Sequence, residues 1–172
     1  MANSSMTPII AVAITVSDRC FTGEQEDVSG AALVELLREL DAEIIAYEVV
    51  SDDPEMLSDR IREYAGRDDV NLIITTGGTG LGPRDNTPEV TQELLEREAP
   101  GLAEAIRAES LKHTPMGMLS RGVCGVRSDA LIVNLPGSPK AVRESFEVIR
   151  PVLNHAVALM LGRTSHEPGE KG

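Results

Sequence analysis

Apolar runs of strand length alternate with segments of helical periodicity along most of this chain. The run from Ile9 to Val16 is followed by leucines at i, i+3, i+4 and i+7 spacing, beginning at Leu33, and then by a second run from Ile44 to Val50. Further strand-like runs cover residues 70–76 and 131–135. Because strands that are apolar along their length need cover on both faces, the pattern predicts an α/β fold, a three-layer sandwich whose mostly parallel central sheet is covered by helices on both faces.

Helix starts are predicted where a capping side chain precedes a proline or an apolar repeat. We expect a helix to begin at each of four such positions: Ser29, Asp53-Pro54, Thr87-Pro88 and Ser138-Pro139. Helices are expected over residues 87–97 and 101–111, and residues 122–135 are expected to form a hairpin. The proline at 151 predicts that one C-terminal helix stops there and another begins.

A glycine-rich segment follows the third predicted strand. Four of its glycines lie within six residues, where they leave backbone N–H groups accessible to an anion. Thr75, Thr76 and Thr79 add hydroxyl donors, Arg84 adds a planar cation, and Asp85 adds a carboxylate suited to a hard cation. A glycine-rich turn can simply join a strand to a helix, but this combination predicts a site for phosphate groups and a metal ion.

Two known phosphate-binding motifs do not fit this segment. Gly77 and Gly82 have the spacing of a Walker loop, but Pro83-Arg84 follows where that loop needs lysine and then serine or threonine. The dinucleotide fingerprint that would begin at Gly78 needs a glycine where Pro83 stands. The ligand class is therefore not decided by these motifs.

Further polar residues lie at the same edge of the predicted sheet. Asp52 follows the second strand and, unlike Asp53, has no evident capping role, so a functional role is favoured. Asp27 lies just before the first helix, where a capping role and a functional role both remain open. Gly137 and Ser138 lie in a second strand-to-helix loop, which is a second place for an anion, and Ser17 follows the first strand at this edge. The stretch that contains Ser120, taken alone, is better explained as a turn.

The chain of 172 residues is long enough for one domain with a sizeable core, which we expect over residues 8–162, with disordered tails at 1–7 and 163–172. The formal net charge of -12 argues against nucleic acid and anionic membranes as partners, so an anionic ligand needs local donors or a metal. No signal peptide or membrane span is evident, which favours the cytoplasm. Cys20 and Cys124 lack metal-ligand spacing, so we expect reduced thiols and no zinc site.

Several ordered motifs are spread over about Ile9 to Gly162: Ser17-Asp18-Arg19, Asp27-x-Ser29-Gly30, Thr76-Gly77-Gly78-Thr79-Gly80, Pro83-Arg84-Asp85-x-Thr87-Pro88-Glu89, Thr114-Pro115, Leu119-Ser120-Arg121 and Leu135-Pro136-Gly137-Ser138-Pro139. Together they resemble the molybdopterin adenylyltransferases of molybdenum-cofactor biosynthesis. The resemblance implies a single MoaB/Mog-type domain that assembles as a homotrimer. It also implies Mg²⁺-dependent transfer of AMP from ATP to molybdopterin, with release of pyrophosphate.

The resemblance also implies roles for the candidate site residues. Asp52 and Asp85 match the family's essential acidic positions and would hold Mg²⁺. The backbone of Gly77, Gly78 and Gly80, with Thr76 and Thr79, would hold the phosphate of molybdopterin. The remaining matches are Ser17 and Asp27 near the reaction centre, Arg84 among the substrate-binding groups, Ser120 near the pterin, and Gly137 and Ser138 toward the nucleotide.

Two alternatives share part of this pattern. Molybdenum insertases and nucleotide-processing enzymes similar to competence/damage-inducible proteins resemble Gly-Gly-Leu-Gly-Pro-Thr, whereas this chain has Arg84-Asp85, which favours adenylylation. The second alternative is a non-catalytic, molybdopterin-binding trimeric paralogue, and relatives of that kind lose the Arg-Asp pair. By the same resemblance, molybdenum insertion would fall to a separate insertase.

Overall fold

The computed structural model describes residues 7–163, so residues 1–6 and 164–172 of the expected tails lie outside the described residues. The elements follow one another in this order: β1 Ile10–Val16, α1 Asp18–Phe21, α2 Val28–Glu39, β2 Glu43–Val50, α3 Pro54–Ala65, β3 Leu72–Thr76, α4 Thr87–Leu94, β4 Arg97–Glu98, α5 Pro100–His113, a 3₁₀ helix Pro115–Leu119, β5 Cys124–Arg127, β6 Ala130–Leu135 and α6 Pro139–Met160.

One mixed sheet contains six strands in the order β2-β1-β3-β6-β5-β4. The first four strands are parallel, whereas β5 is antiparallel to β6 and the short β4 is antiparallel to β5. Thr76 of β3 pairs with Thr15 of β1 and with Leu135 of β6, so the carboxyl ends of these strands are level. The strand order changes direction between β1 and β3, which is where α/β sheets form a ligand crevice.

Helices cover both faces of the sheet and produce two cores. On one face, α2, α5 and α6 bury Leu33, Ile106 and Phe146. On the other face, α3 and α4 bury Ile61 and Leu94. The predicted three-layer α/β sandwich is therefore confirmed. Across residues 7–163, no helix combines the length and the apolar character that crossing a bilayer requires.

α6 continues through Pro151, so the predicted break between two helices is wrong. A proline inside a helix removes one backbone hydrogen bond and costs about 3 kcal/mol. Ile149, Leu153 and Val157 nevertheless form one buried stripe across this position. Each such side chain contributes about 1.5–3 kcal/mol on burial, so packing against the sheet outweighs the local cost.

Two of the predicted helix caps are confirmed. The side chains of Asp53 and Ser138 accept backbone N–H groups in the first turns of α3 and α6, at 2.9 and 3.2 Å. The predicted hairpin is also present as β5 and β6, with Ser128 in the turn at a φ of 50°. α4 ends at Leu94 instead of continuing to Arg97, because Arg97 enters β4 and pairs with β5.

The other two predicted caps are wrong. Asp27 caps α2, and Ser29 lies within that helix. Thr87 is the first residue of α4, with Asn86 at the cap position. Both hydroxyls instead bond across the sheet edge: Ser29 Oγ donates to the carbonyl of Gly137 at 2.6 Å, and Thr87 Oγ1 donates to the carbonyl of Gly77 at 2.9 Å. Tertiary contacts therefore replaced the local capping bonds.

Candidate active site

A cavity of about 520 Å³ opens at the carboxyl ends of the parallel strands. The segments after β1, β2, β3 and β6 all contribute to its wall. Eight of the predicted site residues line it: Ser17, Asp27, Asp52, Thr76, Gly77, Gly78, Asp85 and Gly137. The others lie outside this lining: Thr79, Gly80, Arg84, Ser120 and Ser138. Residues that are far apart in sequence therefore meet in one cavity, but the predicted set does not meet there as a whole.

The floor of the cavity, defined here as Gly77, Gly78 and Gly137, consists of closely packed backbone. A Cβ atom at Gly77 would overlap the carbonyl oxygen of Val16, and one at Gly78 would overlap the hydroxyl of Thr87. A Cβ atom at Gly137 would lie 3.3 Å from the Cα of Gly77. Gly77 and Gly78 also have φ angles of 101° and 66°, in the left-handed region that favours glycine. Both space and conformation therefore require glycine at 77 and 78.

Several backbone amides at and beyond the floor have no acceptor within the described part of the protein. The N–H of Gly77 donates to the carbonyl of Leu135 at 3.2 Å. Within residues 7–163, the N–H groups of Gly78, Thr79 and Gly80 donate to no protein acceptor. The segment leads into the N-terminus of α4, where the helix dipole favours negative charge. These features together suit a phosphate group.

The threonine hydroxyls of β3 have partners within the protein. Thr76 Oγ1 donates to the carbonyl of Pro136 at 2.7 Å, which uses its single hydroxyl proton. Thr75 is fully buried, and its hydroxyl accepts from the side-chain amide of Asn134 at 2.9 Å. The expectation that Thr75 faces a ligand is therefore wrong, because the pairing of β3 with β6 turns it into the core.

Asp52 and Asp18 connect the loops that follow β2 and β1. The Asp18 N–H donates to Asp52 Oδ2 at 2.8 Å, and the Asp52 N–H donates to Asp18 Oδ1 at 3.0 Å. Burial raises the pKa of Asp52, and the negative charges of Asp18 and Asp85 raise it further, against the lowering effect of the Asp18 N–H. The positive charge of Arg84 also lowers the pKa of Asp52, so both carboxylates and a cation surround this position.

Arg84 forms an ion pair with Asp18 at the outside of the cavity. Its Nε and Nη2 atoms donate to the carboxylate of Asp18 at 2.5 and 3.0 Å, and this bond lowers the pKa of Asp18. The Arg84 side chain is 61% exposed. The sequence predicted a phosphate ligand at Arg84 and assigned no role to Asp18. The place of Asp18 directly after β1, at the same edge as Asp52, was the signal for its participation.

Asp27 is both a helix cap and a residue of the cavity wall. One carboxylate oxygen accepts the N–H of Gly30 at 2.9 Å, and the other accepts the hydroxyl of Tyr47. A Cβ atom at Gly30 would overlap the Asp27 carboxylate, so glycine is required there. Burial, followed by the bond to Asp27, raises the pKa of Tyr47. Tyr47 belongs to edge strand β2, and nothing in the sequence around it predicts its contact with Asp27.

The rim loop, defined here as residues 80–85, is exposed and is held by few contacts. Asp85 Oδ2 accepts the N–H of Gly82 at 2.8 Å, and the Asp85 N–H donates back to the carbonyl of Gly82 at 3.0 Å. Leu81 is 66% exposed. The guanidinium of Arg121 contacts the loop from the segment before β5. The floor and the rim loop thus have different means of support.

The two carboxylates fit the requirements of a magnesium ion. Asp52 and Asp85 line the same cavity. In the part of the chain that the structure describes, no group of three or more His, Cys, Asp or Glu side chains is placed to hold a metal. Mg²⁺ needs no such group, because it takes one or two carboxylates and completes its shell with water and phosphate oxygens.

Comparison with known proteins agrees with this geometry. Residues 12–155 match a family model described as "Probable molybdopterin binding domain". The chain belongs to this family. It is 39% identical over 151 residues to a molybdopterin adenylyltransferase of Helicobacter pylori, with 87% of this chain and 86% of the relative covered. The family predicted from the motifs is thus confirmed.

Two further relatives extend the comparison. The crystal structure of the molybdopterin biosynthesis enzyme MoaB from Thermus thermophilus has a TM-score of 0.84 at 52% identity, covering 90% of this chain and 97% of that one. The molybdenum cofactor synthesis protein cinnamon of Drosophila melanogaster is 43% identical over 148 residues, which is 86% of this chain. The match spans only 25% of cinnamon's length.

Proposed function

We propose that this protein is a molybdopterin adenylyltransferase of molybdenum-cofactor biosynthesis, which transfers AMP from ATP to molybdopterin in a Mg²⁺-dependent reaction and releases pyrophosphate. The observation that carries the proposal is the meeting, in one cavity, of a glycine floor next to available amides with the carboxylates of Asp52 and Asp85. Relatives with the adenylyltransferase name that match most of the chain support the same activity.

The reaction forms a bond between a terminal phosphate oxygen of molybdopterin and the α-phosphorus of ATP. The bond from that phosphorus to the bridging oxygen breaks, and pyrophosphate leaves with the electron pair. Because the nucleophile belongs to the substrate, no side chain has to form a covalent intermediate. The protein must supply orientation and charge neutralisation, which are its main contributions to phosphoryl transfer.

The amides of Gly78, Thr79 and Gly80 would orient the molybdopterin phosphate. Asp52 and Asp85 would hold magnesium. Its positive charge would offset the negative charge of the phosphate oxygens in the transition state. Burial, together with the nearby carboxylates of Asp18 and Asp85, raises the pKa of Asp52, and a bound cation would offset this cost of ionising Asp52.

The remaining residues have supporting roles in this proposal. Ser17 caps α1 by accepting the N–H of Cys20 at 3.3 Å, and with Asp27 it lines the wall near the carboxylates. Gly137 extends the floor toward α6, which Ser138 caps, and this end would receive the nucleotide. Ser120 lies outside the cavity lining, where a larger part of the substrate such as the pterin would extend.

Arg84 requires an exchange of partners if it is to contact phosphate, because Asp18 holds it in this structure. An anionic substrate could compete for the exposed guanidinium, since exposed ion pairs contribute only about 0–1 kcal/mol. Assembly as a homotrimer, transfer of the product to a separate insertase and a cytoplasmic location are further parts of the proposal. They are supported by the family resemblance.

Incubating the purified protein with molybdopterin and Mg-ATP tests the activity directly. We expect adenylylated molybdopterin and pyrophosphate, both identified by mass, and no product when EDTA removes the metal. The alternative, a non-catalytic molybdopterin-binding paralogue, predicts bound molybdopterin without either product. Sedimentation equilibrium of the same preparation tests the homotrimer, with a monomer at all concentrations as the contrary result.

A further inference from the structure

Arg121 reaches the rim loop from the segment that precedes β5. Its Nε donates to the carbonyl of Gly80 and its Nη2 to the carbonyl of Asp85, both at 2.7 Å. Its Nη1 pairs with Glu89 in the first turn of α4, and its own backbone N–H donates to the carbonyl of Thr79 at 2.9 Å. One residue therefore joins the beginning of the loop, its end and the helix that follows.

Within residues 7–163, no other element supports the loop backbone in this way. Among the described residues, the remaining hydrogen bonds to backbone groups of residues 80–85 come from Gly82, Asp85 and the adjacent Asn86. Arg84 ties its own side chain to Asp18 but leaves the loop backbone free. The long-range restraint on the loop backbone thus depends on Arg121.

The bonds of Arg121 also fix how the loop peptides are turned. In a trans peptide the C=O and the following N–H point in opposite directions. Because the carbonyls of Thr79 and Gly80 point to Arg121, the N–H groups of Gly80 and Leu81 point away from it. The bond to the Asp85 carbonyl fixes the backbone that carries the cavity-lining carboxylate.

We infer that Arg121 is a positioning residue: its guanidinium braces the rim loop so that the Asp85 carboxylate and the loop amides are held in place for the reaction. This inference rests on the proposed function for its catalytic consequence. Its three engaged nitrogen atoms leave Arg121 as a brace and not as a ligand of phosphate. A lysine could not replace it, because a single ammonium group lacks the planar fork that spans two carbonyls.

The test uses a fluorescent reporter of loop motion. The chain contains no tryptophan, and Leu81 is an exposed residue of the rim loop, so Leu81→Trp introduces a single indole at the loop. Arg121→Ala and Arg121→Lys are each combined with this change. The control is Arg127→Ala, which also removes an arginine bond to a backbone carbonyl, that of Leu94 at 2.9 Å, but in β5 and away from the cavity lining.

We expect both Arg121 variants to show faster and wider indole motion in time-resolved anisotropy, while the Arg127 control shows the anisotropy of the parent. Without the reporter, kcat/KM for adenylylation should fall about tenfold to a hundredfold for Arg121→Ala, as expected for losing charge-assisted bonds. Added guanidinium ion should restore part of the rate to Arg121→Ala. Such rescue is not expected from a variant that is simply less stable.

Unchanged anisotropy in both Arg121 variants would overturn the brace. So would full adenylylation activity of Arg121→Ala together with a mobile loop, because the brace would then have no role in positioning. If the parent protein makes no product, the proposed function fails by itself, and the anisotropy comparison still decides whether Arg121 restrains the loop. Thermal unfolding of each variant identifies loss of the fold, and Arg121→Lys then provides the milder substitution.

Discussion

The floor and Asp85 of the rim loop line the same cavity, but the floor and the rim loop are stabilised in different ways. The floor is packed so closely, against the Val16 carbonyl at Gly77 and against the Thr87 side chain at Gly78, that neither glycine has room for a side chain. The rim loop is exposed and depends on the Asp85 carboxylate and the Arg121 guanidinium. The difference indicates that the floor is inseparable from the fold, whereas the rim loop can lose function while the fold persists.

The largest expected effect is on the floor. Gly77→Ala places a methyl group against the carbonyl of Val16 at a φ of 101°. Strain and overpacking together should lower the free energy of unfolding by about 2–5 kcal/mol, measured by urea denaturation. Gly101→Ala is the control, since its Cβ atom meets nothing within 4 Å at the start of α5. Equal stability of the two variants would show that the floor is not tightly packed, and the contrast with the rim loop would then fail.

A substitution in the rim loop should separate function from stability. A Cβ atom at Gly82 would lie 2.8 Å from Asp85 Oδ2, the free end of a side chain that can move. We expect Gly82→Ala to change the unfolding free energy by less than about 1 kcal/mol, because surface changes usually stay near that limit. Adenylylation should nevertheless slow, since the carboxylate is displaced. A loss of stability as large as that of Gly77→Ala would contradict this prediction.

Asp52 provides a pH-dependent test of the charge in the cavity. Burial and the neighbouring carboxylates raise its pKa in the folded protein, so ionising it costs stability. Without magnesium, the raised pKa of Asp52 contributes stability that is fully present below about pH 4. This stability is lost as pH rises through the pKa of Asp52 in the folded protein. Asp52→Asn should therefore be at least as stable as the parent at neutral pH in EDTA, and the difference should shrink on acidification. If Asp52→Asn is less stable than the parent at neutral pH, the prediction is contradicted.

The two thiols report on the cavity with a smaller expected effect. Cys20 lines the cavity, whereas Cys124 is 2% exposed, and burial raises the pKa of Cys124 to about 12. In the native protein we expect iodoacetamide to modify Cys20 alone, as peptide mass mapping would show. Bound molybdopterin should slow this reaction about twofold to tenfold at concentrations up to ten times its dissociation constant. Modification of Cys124 first, or no protection of Cys20, would place the ligand elsewhere.

A contrast between local patterns and contacts with distant residues explains what the sequence could predict. The parallel strands, the hairpin and the glycine-rich segment follow from local periodicity and composition, and the strand ends place Asp52 and Asp85 at one edge. Sequence reasoning failed where a distant group decided the outcome. The continuous apolar face overrode Pro151, and backbone carbonyls of the floor region engaged the hydroxyls of Ser29 and Thr87.

The sequence also could not predict the partners of charged side chains. Arg84 belongs to the motif that predicted the site, yet its guanidinium pairs with Asp18, 66 residues away. The sequence identified Arg121 only as part of the Leu119-Ser120-Arg121 motif, and its bonds to the rim loop depend on how the segment before β5 folds back. A pattern in one stretch of sequence does not specify such pairings.

A single-turnover measurement on Asp85→Asn tests the central claim most directly, namely that the floor holds the substrate while the rim carboxylate supports the chemistry. The variant and the parent are loaded with molybdopterin, mixed with Mg-ATP, and quenched for mass analysis of the adenylylated product. We predict that the variant binds molybdopterin with nearly the affinity of the parent but forms product at least about a hundredfold more slowly, a barrier increase of about 2.7 kcal/mol. Product formation at the parental rate would contradict the account.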